Sequence, residues 1–210
     1  MLRTLYLIFC LCGFLPVTTV VMADETTPTS KNSSTLLVWG DSLSAAYGIP
    51  VEKGWVSLLQ TKLGDHYKVV NGSISGETTA GGLTRLPEAL KQHDPDYVLL
   101  ELGANDGLRG IDLPTMRRNL EQMITLSQAA DTKVILLGIQ LPPNYGTTFT
   151  EKFSATYTDL AKQYTLPLLP FLLDGIAENW DLMQADGLHP TAEAQPQILE
   201  NVWKVLEAAL

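Results

Sequence analysis

The chain has 210 residues and a formal net charge of −9, with 45% hydrophobic and 18% charged residues. This size and composition predict one globular domain with a sizeable core, and they exclude a disordered or low-complexity chain. An acidic chain without a cluster of lysines and arginines is a poor candidate for binding nucleic acid or an anionic membrane surface, so we expect neither as a partner.

The first 23 residues have the features of a secretory signal peptide. Arg3 provides a positive start, residues 5–21 carry no charge, and Val21-Met22-Ala23 fits the small-x-small rule for cleavage. The apolar run is short for a membrane span and contains Pro16, which favours a cleaved signal over an uncleaved anchor. We therefore expect an exported protein with no stable membrane insertion after cleavage.

Residues 24–35 are rich in threonine, serine and proline and are predicted to form a flexible leader before a single domain at 36–210. Both cysteines, Cys10 and Cys12, lie in the predicted signal peptide. Neither follows small residues, which disfavours a lipoprotein signal. The mature chain would contain no cysteine and only three histidines, so we expect no disulfide, no metal site and no cofactor.

Predicted strands and helices alternate through the domain. The strands are predicted at 36–40, 67–71, 97–102, 134–139 and 166–169, and the helices at 55–63, 83–92 (with Pro87 near its start), 113–130, 150–163 and about 191–209, with a loop and short helix at 171–184. This alternation predicts an α/β fold in which helices cover both faces of a parallel sheet. Nucleotide binding is unsupported, because neither G-x-G-x-x-G nor G-x-x-x-x-G-K-[ST] is present.

Ser42 follows the first predicted strand, within Gly40-Asp41-Ser42-Leu43-Ser44. The carboxyl ends of the strands are where open α/β sheets place their chemistry. Of the three histidines, His66 and His93 precede strands and are expected at the opposite edge of the sheet. His189 follows the fifth strand and is expected at the same edge as Ser42.

Asp186 precedes His189 by three residues, a spacing that lets a carboxylate fold back onto the imidazole and hold its tautomer. A helix-terminal aspartate beside a surface histidine would have the same spacing. Gly76 and Asn105 follow the second and third strands and offer a backbone and a side-chain donor for an oxyanion. The N–H of Ser42 is a third donor, because Ser42 is expected to begin a turn into a helix. Each of these residues alone could be an ordinary turn residue, and their common edge is what favours a site.

Four blocks of the chain resemble the SGNH (GDSL-type) hydrolases: residues 40–44, Gly76, residues 103–106 and residues 186–189. Longer stretches at 74–79, 101–110 and 141–146 are similar to the bacterial periplasmic thioesterase I/lysophospholipase L1 group, whose members are also described as arylesterases. The resemblance covers essentially the whole mature chain in the same order. The serine lies in G-x-S-x-S, which differs from the G-x-S-x-G elbow of the α/β-hydrolases.

The resemblance implies a three-layer α/β/α sandwich with a five-stranded, flavodoxin-like parallel sheet. It also implies that Ser42 is the nucleophile, His189 the base and Asp186 its partner. Ser42 N–H, Gly76 N–H and the Asn105 side chain would form the oxyanion hole. Ala104 departs from the glycine that close relatives often carry. The family favours the periplasm over full secretion, and we expect a monomer.

The resemblance also implies the substrates: fatty acyl esters, acyl-CoA and other thioesters, lysophospholipids and aryl esters. A deacetylase of carbohydrates or other acetyl esters is the alternative within the superfamily, and a catalytically silent binding domain is the alternative outside it. The loops at 107–112 and 141–149 either border the substrate or simply connect strands to helices. The residues predicted to contact substrate are Asp41, Leu43, Leu108, Arg109, Leu141 and Pro142.

Overall fold

The structure is a computed structural model and describes residues 33–210. A parallel sheet runs through this part of the chain in the order β2-β1-β3-β4-β5. Its strands are β1 Ser34–Gly40, β2 Tyr67–Asn71, β3 Tyr97–Glu101, β4 Lys133–Leu137 and β5 Leu168–Leu169. The predicted five-stranded parallel sheet is confirmed, and its strand order is that of flavodoxin-like folds.

Six α-helices connect and follow the strands. They are α1 Trp55–Leu63, α2 Thr79–His93, α3 Ala104–Leu108, α4 Leu113–Ala129, α5 Thr147–Tyr164 and α6 Gln195–Leu206. Helix α1 packs beside α6, whereas α4 packs beside both α2 and α5. These two groups of helices cover opposite faces of the sheet, which gives the expected three layers.

Burial follows directly from this layering. Strands β1 and β3 lie in the centre of the sheet and are covered on both faces, which is why they are nearly continuous apolar runs. Leu36, Leu37 and Val38 have no exposed surface. Gly40 ends β1 opposite Glu101, and a Cβ atom at Gly40 would collide with the Glu101 carboxyl group. Only glycine therefore fits at the end of β1, two residues before Ser42.

Several elements differ from the sequence-based boundaries. Strand β1 begins at Ser34, so the last two residues assigned to the leader belong to the sheet. Helix α2 begins at Thr79 rather than 83, which places Pro87 in its interior. Helix α3 occupies residues that were expected to form a loop. The predicted signal peptide and most of the predicted leader lie outside the described residues.

The remaining histidines are at the amino-terminal edge, as expected. His66 immediately precedes β2, and His93 is the last residue of α2, shortly before β3. Within residues 33–210, no helix is both long enough and apolar enough to cross a bilayer.

Candidate active site

Ser42, His189 and Asp186 meet at the carboxyl edge of the sheet. His189 Nε2 lies 2.9 Å from Ser42 Oγ, and His189 Nδ1 lies 2.7 Å from Asp186 Oδ2. The two contacts form a continuous chain of hydrogen bonds from hydroxyl to imidazole to carboxylate. This is the arrangement in which an imidazole can take a proton from a hydroxyl while a carboxylate holds its tautomer.

The turn that presents Ser42 is stabilised by its own residues. Asp41 Oδ1 accepts a hydrogen bond from Leu43 N–H at 3.0 Å, and Ala45 N–H donates to Asp41 O at 2.9 Å. Residues 42–48 form turns, and the next α-helix begins only at Trp55. Ser42 was expected to begin a turn into a helix; it does lie in a turn, but this turn continues into a loop before the helix.

Asp186 is held in its ionised form by local donors. Its Oδ1 accepts hydrogen bonds from the N–H groups of Leu188 and His189, at 2.9 and 3.0 Å. Desolvation raises the pKa of Asp186, but these bonds and the His189 ring outweigh it and lower the pKa to about 2. A carboxylate with this pKa stays negative throughout the neutral range and can stabilise a protonated imidazole.

Gln184 joins the loop of the histidine to the loop of the serine. Its backbone N–H donates to His189 O at 2.7 Å, and its Nε2 donates to Tyr47 O at 2.8 Å and Pro190 O at 2.9 Å. The ring of Tyr47 in turn lies against the His189 ring, with centroids 4.4 Å apart. Sequence reasoning missed both residues, because neither belongs to a motif.

Replacing Gln184 with glutamate should lower kcat by roughly tenfold and leave KM nearly unchanged. Glutamate has almost the same shape but lacks both N–H donors, so the two loops lose a shared support and the Ser42–His189 distance is less well held. Steady-state kinetics on p-nitrophenyl butyrate measure the effect. The exposed Gln197→Glu on α6 is the matched control, and a wild-type kcat for Gln184→Glu would show that the link is dispensable.

Three potential oxyanion donors lie at the same edge. Gly76 has a φ of +79°, a conformation that favours glycine, and Arg109 Nη2 donates to its carbonyl at 2.9 Å. Among the hydrogen bonds formed within residues 33–210, none uses the N–H of Ser42 or Gly76 as donor. The Asn105 amide donates to Asp41 Oδ2 at 3.1 Å, which leaves its second N–H available.

A family model for the GDSL-like lipase/acylhydrolase family matches residues 38–195. The chain belongs to this family. It is therefore an enzyme, a hydrolase of the GDSL type.

Relatives of the hydrolase carry related names. It is 51% identical over 181 residues to esterase TesA of Pseudomonas aeruginosa, covering 85% of this chain and 90% of that protein. It is 48% identical to an arylesterase of Vibrio mimicus, covering 82% and 88%. It is 45% identical to thioesterase 1/protease 1/lysophospholipase L1 of Escherichia coli, covering 83% and 84%.

Solved structures agree with the fold of the hydrolase. The crystal structure of TesA matches with a TM-score of 0.82 at 51% identity, covering 84% of this chain and all of that one. The psychrotrophic esterase EstA from Pseudoalteromonas, in a structure inhibited by monoethylphosphonate, matches with a TM-score of 0.80 at 43% identity, covering 84% and 98%.

Asp106 connects the two segments that carry Gly76 and Asn105. Its carboxylate accepts hydrogen bonds from the N–H and the hydroxyl of Thr79, the first residue of α2. Asp106 lies in α3 immediately after Asn105, and α2 begins three residues after Gly76. A carboxylate at a helix N-terminus is stabilising, so this contact ties α3 to the start of α2.

The residues predicted to contact substrate fall into two groups. Leu108, Pro142 and Arg109 retain exposed surface at the carboxyl edge, although one Arg109 nitrogen is engaged by Gly76 O. The other predicted contacts are buried: Asp41, Leu43 and Leu141. Their positions suit support of the site better than contact with a substrate.

Asp41 is buried, and no cationic side chain among residues 33–210 forms a hydrogen bond or ion pair with it. Desolvation raises the pKa of Asp41 from its usual 3.8 to about 6, against the hydrogen bonds from Leu43 and Asn105 and the charge of His189. The folded protein therefore holds a proton more tightly than the unfolded chain. The contribution of protonated Asp41 to the free energy of unfolding is fully present below about pH 4 and is lost as the pH rises through about 6.

The variant Asp41→Asn removes this pH dependence. The difference in free energy of unfolding, wild type minus Asp41→Asn, should fall by up to about 3 kcal/mol between about pH 4 and pH 7. Each unit of pKa shift corresponds to about 1.4 kcal/mol. Urea titrations of both proteins across this range measure the difference. A difference that stays constant with pH would contradict the raised pKa.

Proposed function

We propose that the protein is an exported serine esterase and thioesterase that forms an acyl-enzyme on Ser42. The observation that carries the proposal is the hydrogen-bonded chain from Ser42 Oγ through His189 to Asp186, beside two backbone N–H groups without partners in the described part of the chain. Membership of the GDSL-like lipase/acylhydrolase family supports the reaction class.

In the first half of the reaction, Ser42 Oγ attacks the carbonyl carbon of the ester or thioester. His189 Nε2 takes the hydroxyl proton during the attack, and the Asp186 carboxylate stabilises the resulting imidazolium. The negative charge that develops on the carbonyl oxygen is bound by Ser42 N–H, Gly76 N–H and Asn105 Nδ2.

In the second half, the tetrahedral intermediate collapses and the alcohol or thiol leaves with the proton from His189. Water then attacks the acyl-enzyme, and His189 takes the proton of that water. The resulting intermediate releases the carboxylic acid and returns the proton to Ser42 Oγ. Each bond is made and broken by these side chains and water alone.

The substrate class is proposed from the relatives and from exposed apolar side chains. The names of the relatives comprise an esterase, an arylesterase and a thioesterase/lysophospholipase, which supports acyl esters, thioesters and lysophospholipids as substrates. Ile74 and Tyr145, in the loops after β2 and β4, are exposed, and Leu108 is half-buried after β3. We propose that these residues, with Pro142, contact the acyl chain.

A chain-length series tests this substrate class. On acetyl, butyryl, octanoyl and palmitoyl p-nitrophenyl esters, kcat/KM should rise beyond acetyl, by at most roughly fourfold for each methylene group that becomes buried. Octanoyl-CoA should also be hydrolysed. A maximum at the acetyl ester would instead assign the protein to the deacetylases of the superfamily.

Export rests on the sequence of residues 1–23, and we propose the periplasm as the compartment. Signal cleavage after Ala23 would make Asp24 the first residue of the mature protein. Expression of the full chain in a Gram-negative host, followed by fractionation and N-terminal sequencing, tests this directly. Recovery of an uncleaved chain in the cytoplasm would contradict it.

A further inference from the structure

Glu101 is a fully buried acid beneath the Ser42 turn, and the mechanism above does not use it. It is the last residue of β3 and lies opposite Gly40 in the register of β1 and β3. Its Oε2 accepts hydrogen bonds from Ser44 Oγ at 2.7 Å and Asp41 N–H at 3.2 Å. Its Oε1 is buried and has no hydrogen-bond partner among residues 33–210.

Asp41 is the second buried acid of the same cluster. Its backbone N–H donates to Glu101, while its carboxylate accepts from Leu43 N–H at one oxygen and from Asn105 Nδ2 at the other. Two adjacent carboxylates in an interior cannot both ionise without a large cost. At neutral pH the pair therefore carries one proton.

The distribution of donors indicates where the proton lies. Both oxygens of Asp41 are hydrogen-bonded, whereas Glu101 has one oxygen with two donors and one with none. A bare oxygen costs less on a neutral acid than on a carboxylate. Burial raises the pKa of Glu101 well above its usual range, and the charge of Asp41 raises it further, against the hydrogen bonds from Ser44 and Asp41 N–H.

The other ionisable groups around the pair do not move the proton from Glu101 to Asp41. Tyr157, from α5, donates its hydroxyl to Leu102 O at 3.0 Å, and burial raises its pKa, so it is neutral. The charge of Asp106, from α3, raises the pKa of Asp41, whereas the charge of His189 lowers it. His189 thus favours the negative charge on Asp41.

We propose that Glu101 is a positioning residue that supports the Ser42 turn as a neutral carboxylic acid, so that Asp41 keeps the single negative charge and orients the Asn105 amide. The inference rests on the proposed function, because the positions of Ser42 and Asn105 affect the rate only if they are the nucleophile and an oxyanion donor. Glu101 acts through Asp41 N–H and Ser44 Oγ and does not touch the substrate. Asp41 then fixes one N–H of Asn105, which directs the other toward the developing oxyanion.

The variants Glu101→Gln and Glu101→Ala separate a neutral acid from a charged one. Glutamine has the shape of the protonated acid and accepts the same hydrogen bonds, so kcat should stay within about threefold of the wild type and the acid limb of the pH profile should not move. Alanine leaves Asp41 N–H and Ser44 Oγ without their acceptor, and kcat should fall by roughly tenfold or more with little change in KM. The exposed Glu200→Gln is the matched control.

If Glu101 is ionised in the working enzyme, Glu101→Gln removes a negative charge near His189. Its kcat would then fall as far as that of Glu101→Ala, and the acid limb would move to lower pH, which would overturn the proposal. A wild-type kcat for Glu101→Ala would overturn the positioning role. If Glu101→Ala does not fold, Ser44→Ala replaces it and should lower kcat severalfold, and no loss of kcat would overturn the role.

Infrared difference spectroscopy detects the protonation state of the Glu101 carboxyl group without an activity assay. The spectrum of the wild type minus Glu101→Gln at neutral pH should contain the C=O stretching band of a protonated carboxylic acid. A carboxylate band in its place would overturn the proposal. This result is independent of the nucleophile, so the failure of Ser42 as nucleophile and the failure of the Glu101 assignment would be distinguished.

Discussion

The variant Ser42→Ala should lose at least about 10⁴-fold in kcat on p-nitrophenyl butyrate, because removal of a serine nucleophile leaves only binding and oxyanion stabilisation. In the structure, the only hydrogen bond of the Ser42 side chain within residues 33–210 is that with His189 Nε2. The substitution removes no support from the turn, so thermal stability should stay near that of the wild type.

Two measurements make this prediction specific. Ser57→Ala, on α1 away from the triad, is the matched control and should keep full activity, since within residues 33–210 the only hydrogen bond of its hydroxyl is to Val51 O. Circular dichroism of both variants tests that the fold is intact. Retention of more than a small percentage of wild-type activity by well-folded Ser42→Ala would contradict the role of Ser42.

The variant Asn105→Ala should lower kcat by roughly 10²–10³-fold, the usual cost of removing one oxyanion donor. The effect should fall on kcat more than on KM, because the donor acts on a charge that exists only in the transition state. The substitution also removes the donor to Asp41 Oδ2. Some loss of stability is therefore expected together with the loss of activity.

A buried asparagine far from the triad separates these two effects. Asn201, on α6, donates to Leu172 O and Asp174 O and is almost fully buried. Asn201→Ala should lower the melting temperature without lowering kcat. If Asn105→Ala kept a wild-type kcat, or lowered kcat/KM only by raising KM, the oxyanion role of the Asn105 amide would be excluded.

The sheet was predictable because its signals are local. The strands β1 and β3 are apolar runs that end in glycine or polar residues, and helices with one apolar face follow them. The convergence of Ser42 and His189 followed from one topological rule, that parallel strands bring their carboxyl ends to one edge. The roles of the site residues are proposals that the experiments above test.

Other features depend on tertiary contacts that no local pattern encodes. Helix α2 begins at Thr79 although Gly81 and Gly82 lower helix propensity there, because Thr78 caps it and the Asp106 carboxylate accepts from Thr79. Similarly, the carboxylate of Asp41 could be read as an exposed loop group, yet the fold buries it against Asn105.

The roles of two polar residues, Gln184 and Glu101, were missed for the same reason. Gln184 lies in a loop without helix or strand periodicity. Its side chain donates to Tyr47 O, which is distant in the chain, and to Pro190 O, which lies across a turn. Glu101 lies at the end of an apolar strand, where the sequence shows no sign of the facing Ser44 hydroxyl. Pairings of this kind become visible only when the strands are placed side by side.

Covalent labelling with a fluorophosphonate tests the central claim most directly. The reagent phosphonylates a serine only when a base and oxyanion donors activate it, and peptide mass spectrometry identifies the modified residue. We predict a single modification on Ser42 in the wild type, loss of hydrolysis in proportion to labelling, and no labelling of Ser42→Ala. Modification of a different residue, or equal labelling of Ser42→Ala, would contradict the proposed active site.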